Sequence, residues 1–270
     1  MQQPKPIMAE MDQLLLATAR AEQRHFWFRG FRRFVTPLLE SATQGVSDAR
    51  LADFGCGTGA NLDLLGRFGQ AYGFDLTLVG LRLGRQAGRT RLAQASVTDV
   101  PLPSGAFDVV TSFDVLYGLP QPAEQAAAAE MFRVVKPGGD ALVNVAAMDC
   151  LRGDHSVLGR EVRRYSRTSL SSLLTRAGFR IERITYTNAS LFVPMVLVRT
   201  YQRWRGLPEE AHAESDITVP AAPVNLLLTG LVYVESLWLR WFDSPFGSSL
   251  LCLARKPEDT RQRAATTSHS

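Results

Sequence analysis

The sequence predicts an α/β chain: a largely parallel sheet wound with helices on both faces. Three observations predict it. Short apolar runs alternate with helix-forming ones from Arg50 onward, a glycine-rich segment from Gly55 to Gly59 joins the first run to the helix after it, and glycine, proline or polar residues close the later runs. The chain has 270 residues, 46% of them hydrophobic and 21% charged, which suffices for one large core with an appendage.

Residues 1–47 read as a helical leader, in which Leu14, Leu15, Ala19, Phe26, Trp27, Phe28, Phe34, Leu38 and Leu39 recur at roughly helical spacing. The core spans 48–188. Its strands are predicted at Arg50–Phe54, Ala71–Leu76, Arg91–Val97, Phe107–Phe113, Ala141–Ala146 and Phe179–Thr187. Helices are predicted at Asn61–Phe68, from Pro122 to just before the turn Lys136-Pro-Gly-Gly139, and from a Thr168 cap to Gly178. Residues 189–245 form an apolar helical insert, expected to serve as a substrate lid or as a membrane or dimer contact. In it Leu227, Leu231, Val234, Trp238 and Trp241 make a helical stripe of the kind that more often packs as core or lid. A last core strand falls in 246–256, and 257–270 read as a disordered tail.

The formal net charge is +4 and the basic residues are nearly all arginine, an excess too mild to indicate nucleic-acid binding. Cys56, Cys150 and Cys252 lie far apart, with neither a disulfide framework nor metal-ligand spacing. No basic-then-apolar leader opens the sequence, and the longest uncharged stretch, Ile217 to Val234, is broken by Pro220 and Pro223. The expectation is a cytoplasmic protein without a metal, with peripheral contact at the inner membrane face and a homodimer left open. The arginines of 151–167 read as a solvated face, or alternatively as a surface for an anionic substrate or lipid headgroup.

The chemistry is written in Asp53-Phe-Gly-Cys-Gly-Thr-Gly59. Glycines at a strand-to-helix junction let a ligand approach the backbone. Gly55-x-Gly57-x-x-Ala60, followed by Asp75, also satisfies the dinucleotide fingerprint, so an NAD-dependent oxidoreductase is one reading. Asp53 speaks for another. A carboxylate beside a helix N-terminus opposes a pyrophosphate but suits an ammonium. S-adenosylmethionine has an ammonium for Asp53 and a ribose diol for Asp75.

Four motifs in order, Asp53 to Gly59, Gly73-Phe-Asp75-Leu76, Leu102-Pro-x-x-x-Phe107-Asp108-Val-Val110 and Arg133-Val-Val-Lys-Pro-Gly-Gly139, resemble those of class I S-adenosylmethionine-dependent methyltransferases. The resemblance covers about residues 48–188. It implies a Rossmann-like, doubly wound seven-stranded sheet whose last strand runs antiparallel. It also implies that Asp53, Gly55, Cys56, Gly57 and Gly59 frame the methionine end. Asp75 and Leu76 would hold the ribose and flank the adenine, Ser96 and Val97 would meet the adenine edge, and Phe113 would line the pocket floor. The leader His25-Phe-Trp-Phe-Arg29 resembles that of a type 11-like bacterial subgroup. Two departures stand out: Ser96 replaces a common acid, and Tyr117-Gly118 replaces a common Glu-His pair.

The expected activity is methyl transfer to a small or lipid-like acceptor, at oxygen or nitrogen. His25 or His155 would serve as general base, with Tyr165 orienting the acceptor. A partner protein that binds the cofactor without catalysis is the further alternative, since fold alone does not establish activity.

Overall fold

The computed structural model describes residues 15–16, 18–151, 161–192, 195–196, 200–201, 204 and 219–258. Seven strands form one sheet: β1 (Arg50–Phe54), β2 (Gln70–Asp75), β3 (Leu92–Gln94), β4 (Phe107–Phe113), β5 (Val135–Ala146), β6 (Arg180–Thr187) and β7 (Ser249–Arg255). Their order is β3-β2-β1-β4-β5-β7-β6, and β7 pairs antiparallel with both β5 and β6 while the other pairs are parallel. The expected Rossmann-like sheet is therefore present.

Helices α1 (Phe26–Ala42), α2 (Leu62–Leu65), α3 (Leu78–Gln86) and α6 (Ala222–Trp238) cover one face, and α4 (Gln121–Val134) and α5 (Arg167–Ala177) the other. Alternation along the strands sorts side chains between the two layers. Leu51, Val109, Leu142, Leu251 and Leu253 pack under α1, whereas Ala52, Val110, Val143 and Cys252 pack under α4 and α5. A sheet apolar on both faces requires helices on both.

Several expectations change. Lys136-Pro-Gly-Gly139 is not a turn ahead of β5 but an irregular excursion within it. Val135 already pairs with Phe107, Asp140 pairs with Val109, and Gly139 passes so close to the Asp108 carbonyl that an added Cβ would lie 2.6 Å from its oxygen. Ser166, not Thr168, caps α5: its Oγ accepts from Ser169 N at 3.2 Å, and the Ser169 hydroxyl accepts from Ser166 N at 2.9 Å. The third strand shortens to three residues, and α3 was not anticipated.

The arginine segment is consumed by the fold where it is described. Arg163 pairs with Glu124, Arg164 with Glu161, and Arg167 donates to the Ser244 carbonyl at 2.7 Å. Arg152 and Arg160 lie outside the described residues. The stripe is likewise not core: Leu227, Leu231, Val234 and Trp238 of α6, and Trp241 just beyond it, are all exposed, and only Val232, Glu235 and Ser236 of that helix are buried.

Candidate active site

The carboxyl ends of β1, β2 and β4 bring Asp53, the glycine loop and Asp75 together. At β1, Gly55 and Gly57 take left-handed backbones (φ +80° and +55°), which turn the chain back toward β2. Gly55 N and Cys56 N both donate to the Phe74 carbonyl, at 2.7 and 3.1 Å. Asp75 Oδ2 accepts from Gly57 N at 2.7 Å, and its Oδ1 accepts from Thr77 N at 2.8 Å and from the Thr77 hydroxyl. Asp75, at the end of β2, thus braces the glycine loop that follows Asp53.

Asp53 is buried, with Oδ1 accepting from Thr111 Oγ1 at 2.7 Å and Oδ2 without any hydrogen-bond partner. Desolvation raises its pKa to about 7, and the charge of Asp75 adds to the rise against the Thr111 bond. A buried carboxylate oxygen lacking a donor is costly, and a cationic ligand group would supply one. That is the fit expected of an ammonium, and the glycine cradle beside it fits a close backbone approach.

Cys56 is buried, and burial pushes its thiol pKa well above the ordinary range, which suits packing and not nucleophilic chemistry. Ser96 Oγ lies 2.7 Å from Thr98 Oγ1, Val97 packs at the edge of the core and Leu76 is exposed. Phe113 is buried edge-to-face against Phe31 of α1, so it belongs to the layer beneath the leader.

The catalytic candidates fare differently. His25 is the N-cap of α1: its Nδ1 accepts from Trp27 N at 3.2 Å, and burial lowers its pKa. This bond occupies the ring nitrogen that would take a proton. Tyr165 is buried and donates its hydroxyl to Glu124 of α4, in the cleft between α4 and α5. His155 lies outside the described residues.

One acid went unrecognised in the sequence. Asp114, directly after β4, has a left-handed backbone (φ +61°), and its N donates to the Asn144 carbonyl at 2.9 Å. Asn144 Nδ2 donates to its carboxylate at 2.9 Å, while Asn144 Oδ1 is buried and unpartnered. Asp114 is open to water, yet desolvation raises its pKa to about 7. The Tyr117 hydroxyl pKa is raised well above its usual value, first by burial and then by the charges of Asp114 and Glu161, so it stays a neutral donor. The available signal was an acid at the carboxyl end of a central strand, where ligands bind in such sheets.

Residues 52–143 match the family described as Methyltransferase domain. The chain carries an S-adenosylmethionine-dependent methyltransferase domain. No curated protein matches. Among solved structures, the chain is similar to a Haemonchus contortus phosphoethanolamine N-methyltransferase 2 in complex with S-adenosyl-L-methionine, at 16% identity and TM-score 0.57 over 92% of this chain and 57% of that one. It is also similar to an S-adenosylmethionine dependent methyltransferase from Mesorhizobium loti, at 18% identity and TM-score 0.52 over 82% and 97%. A third likeness is the [4+2]-cyclase SpnF, at 20% identity and TM-score 0.53 over 84% and 82%. At these identities the likeness is one of fold. The oxidoreductase reading is not favoured.

Proposed function

We propose that this methyltransferase acts on a small or lipid-like acceptor whose nucleophile carries a proton, an amine nitrogen or a hydroxyl oxygen, and that Asp114 takes that proton. The carrying observation is Asp114 itself, water-accessible beside an unpartnered Asn144 Oδ1, with its pKa raised to about 7. When bound, S-adenosylmethionine supplies an electrophilic methyl group on sulfur. Asp53 Oδ2 would hold the ammonium of the cofactor, Gly55, Cys56, Gly57 and Gly59 the methionine end, Asp75 the ribose, and Leu76, Ser96 and Val97 the adenine. Phe113 would support the pocket through Phe31. As the acceptor takes up the methyl group, its proton would pass to the Asp114 carboxylate. Tyr117 would donate to the acceptor, and Asn144 would fix Asp114 and accept from the substrate through Oδ1.

On this reading His25 is a helix cap and not the base, and Tyr165 orients Glu124 and not the acceptor. The buried, unpaired Cys56 and Cys252 accord with a reducing, cytoplasmic setting. Asp114→Asn keeps the shape and removes the base. Turnover on an identified acceptor should fall by about a hundredfold or more, while calorimetric affinity for S-adenosylhomocysteine stays within about threefold. Unchanged turnover in Asp114→Asn would exclude Asp114 as base.

A further inference from the structure

We propose that the outward face of α6 docks on an anionic phospholipid bilayer. The helix buries Val232 together with polar anchors on its inside and is apolar on its outside. Inward, Glu235 accepts from Ala189 N at 2.8 Å, Ser190 N at 3.0 Å and Ser190 Oγ at 2.6 Å. Asn225 accepts from Phe26 N and donates to the Arg24 carbonyl, each at 3.0 Å. Outward, Leu226, Leu227 and Val234 are 72%, 64% and 64% exposed, and Trp238 and Trp241 are 58% and 82% exposed. A surface helix in water carries the opposite arrangement. Its polar residues here are spent on anchoring, which leaves the apolar side to a non-aqueous neighbour.

Three features select a bilayer as that neighbour. Among the described residues no helix is long and apolar enough to cross a membrane, so the apolar face of the 17-residue α6 would meet a bilayer from its surface. Its aromatic residues Tyr233 and Trp238, and Trp241 in the turn just after it, are of the kinds that settle at headgroup depth. The rim is basic: Arg33 stacks its guanidinium 4.5 Å over the Tyr233 ring, Arg24 flanks the Asn225 anchor, and Arg240 follows Trp238. The nearby exposed acid, Asp243, is already paired with Arg183 at 2.8 Å. Anionic headgroups complement such a rim. A second copy joined face to face would bring the same arginines toward one another.

Flotation of the full chain with mixed phosphatidylcholine and phosphatidylglycerol vesicles tests this, with pure phosphatidylcholine vesicles as reference. The wild type should float with the anionic vesicles and stay below with the neutral ones. Partitioning should drop about tenfold or more in Trp238→Ala/Trp241→Ala, which removes the apolar anchors, and in Arg33→Glu/Arg240→Glu, which reverses the rim. Affinity for S-adenosylhomocysteine should be retained by both variants, showing that they fold. Failure of the wild type to float with anionic vesicles overturns the proposal. So does wild-type flotation by the folded charge-reversed variant, or equal flotation with neutral vesicles. A concentration-dependent dimer in sedimentation, without flotation and abolished by the tryptophan changes, would assign the face to a second copy instead.

Discussion

Asp53 and Asp114 are acids held near neutrality by their surroundings. Each has a pKa of about 7 against an ordinary 3.8, with desolvation the largest cause. A folded-state pKa above the unfolded one means that the folded chain retains protons the unfolded chain has released. The stability these groups contribute is therefore full below about pH 4 and is lost as pH rises through about 7. The ligand-free protein should show a melting temperature that falls between about pH 5 and about pH 8, with a smaller fall in Asp53→Asn/Asp114→Asn. A cation bound at Asp53 works in the opposite direction. Affinity for S-adenosylhomocysteine, which keeps the ammonium, should climb as pH rises toward 7 and level off above it. Asp53→Asn should flatten that profile and weaken binding by about 10–100-fold at neutral pH, the worth of a charge-assisted hydrogen bond. Calorimetry across the pH series reads both effects, and an unchanged profile in the variant would remove Asp53 from the ammonium site.

At the scale of elements, the alternation of strands and helices was legible because sheet residues apolar on both faces leave short continuous runs. The glycine loop was legible because its spacing is tied to a strand end. Helix α3 was not. It packs through two glycines, Gly80 and Gly84, whose missing side chains let it lie against the loop, so that Leu81 is the one large apolar residue on its buried face. Nor could periodicity say which way the stripe of α6 points, since a stripe has no sign until its partner is known. Asp114 was hidden for a related reason: one acid after a strand differs from a solvated end only through its neighbour Asn144, 30 residues away. The glycines of α3 and α6 make a paired prediction. An alanine Cβ at Gly84 would lie 2.3 Å from the Thr58 carbonyl oxygen and 2.6 Å from Leu92 Cδ1, whereas at Gly230 it would meet nothing within 4 Å. Helix propensity favours alanine by about 1 kcal/mol at either site, but overpacking costs about 1–3 kcal/mol and here meets backbone that carries the cofactor loop. Gly84→Ala should lower the melting temperature and weaken S-adenosylhomocysteine binding. Gly230→Ala should raise the melting temperature slightly and leave binding alone.

Across the whole molecule, the leader, the glycine loop and α6 form one connected path. Thr58 of the loop donates to buried Glu22 at 2.9 Å, and Arg32 of α1 donates to the Glu22 carbonyl at 3.0 Å. Leu15 reaches the loop as well, since a Cβ placed on Gly57 would lie 3.1 Å from its Cδ2. The turn between these contacts and α1 is held at residues 24–26 by Asn225, almost two hundred positions later in the chain. The leader therefore rests on the cofactor loop at one end and on α6 at the other, so loosening the second contact should be felt at the first. Asn225→Ala removes two neutral hydrogen bonds worth about 1 kcal/mol each, enough to make opening of this turn up to about thirtyfold more frequent. Amide exchange at 24–28 should accelerate by that order, and dissociation of S-adenosylhomocysteine should quicken if the ligand leaves past the leader, with association little altered. The two readouts separate two arrangements. Faster exchange with an unchanged dissociation rate would mean that the ligand leaves by a route the leader does not cover. Faster exchange together with faster dissociation would make the leader the gate, and would place the control of cofactor release on the helix whose other face we assign to the membrane.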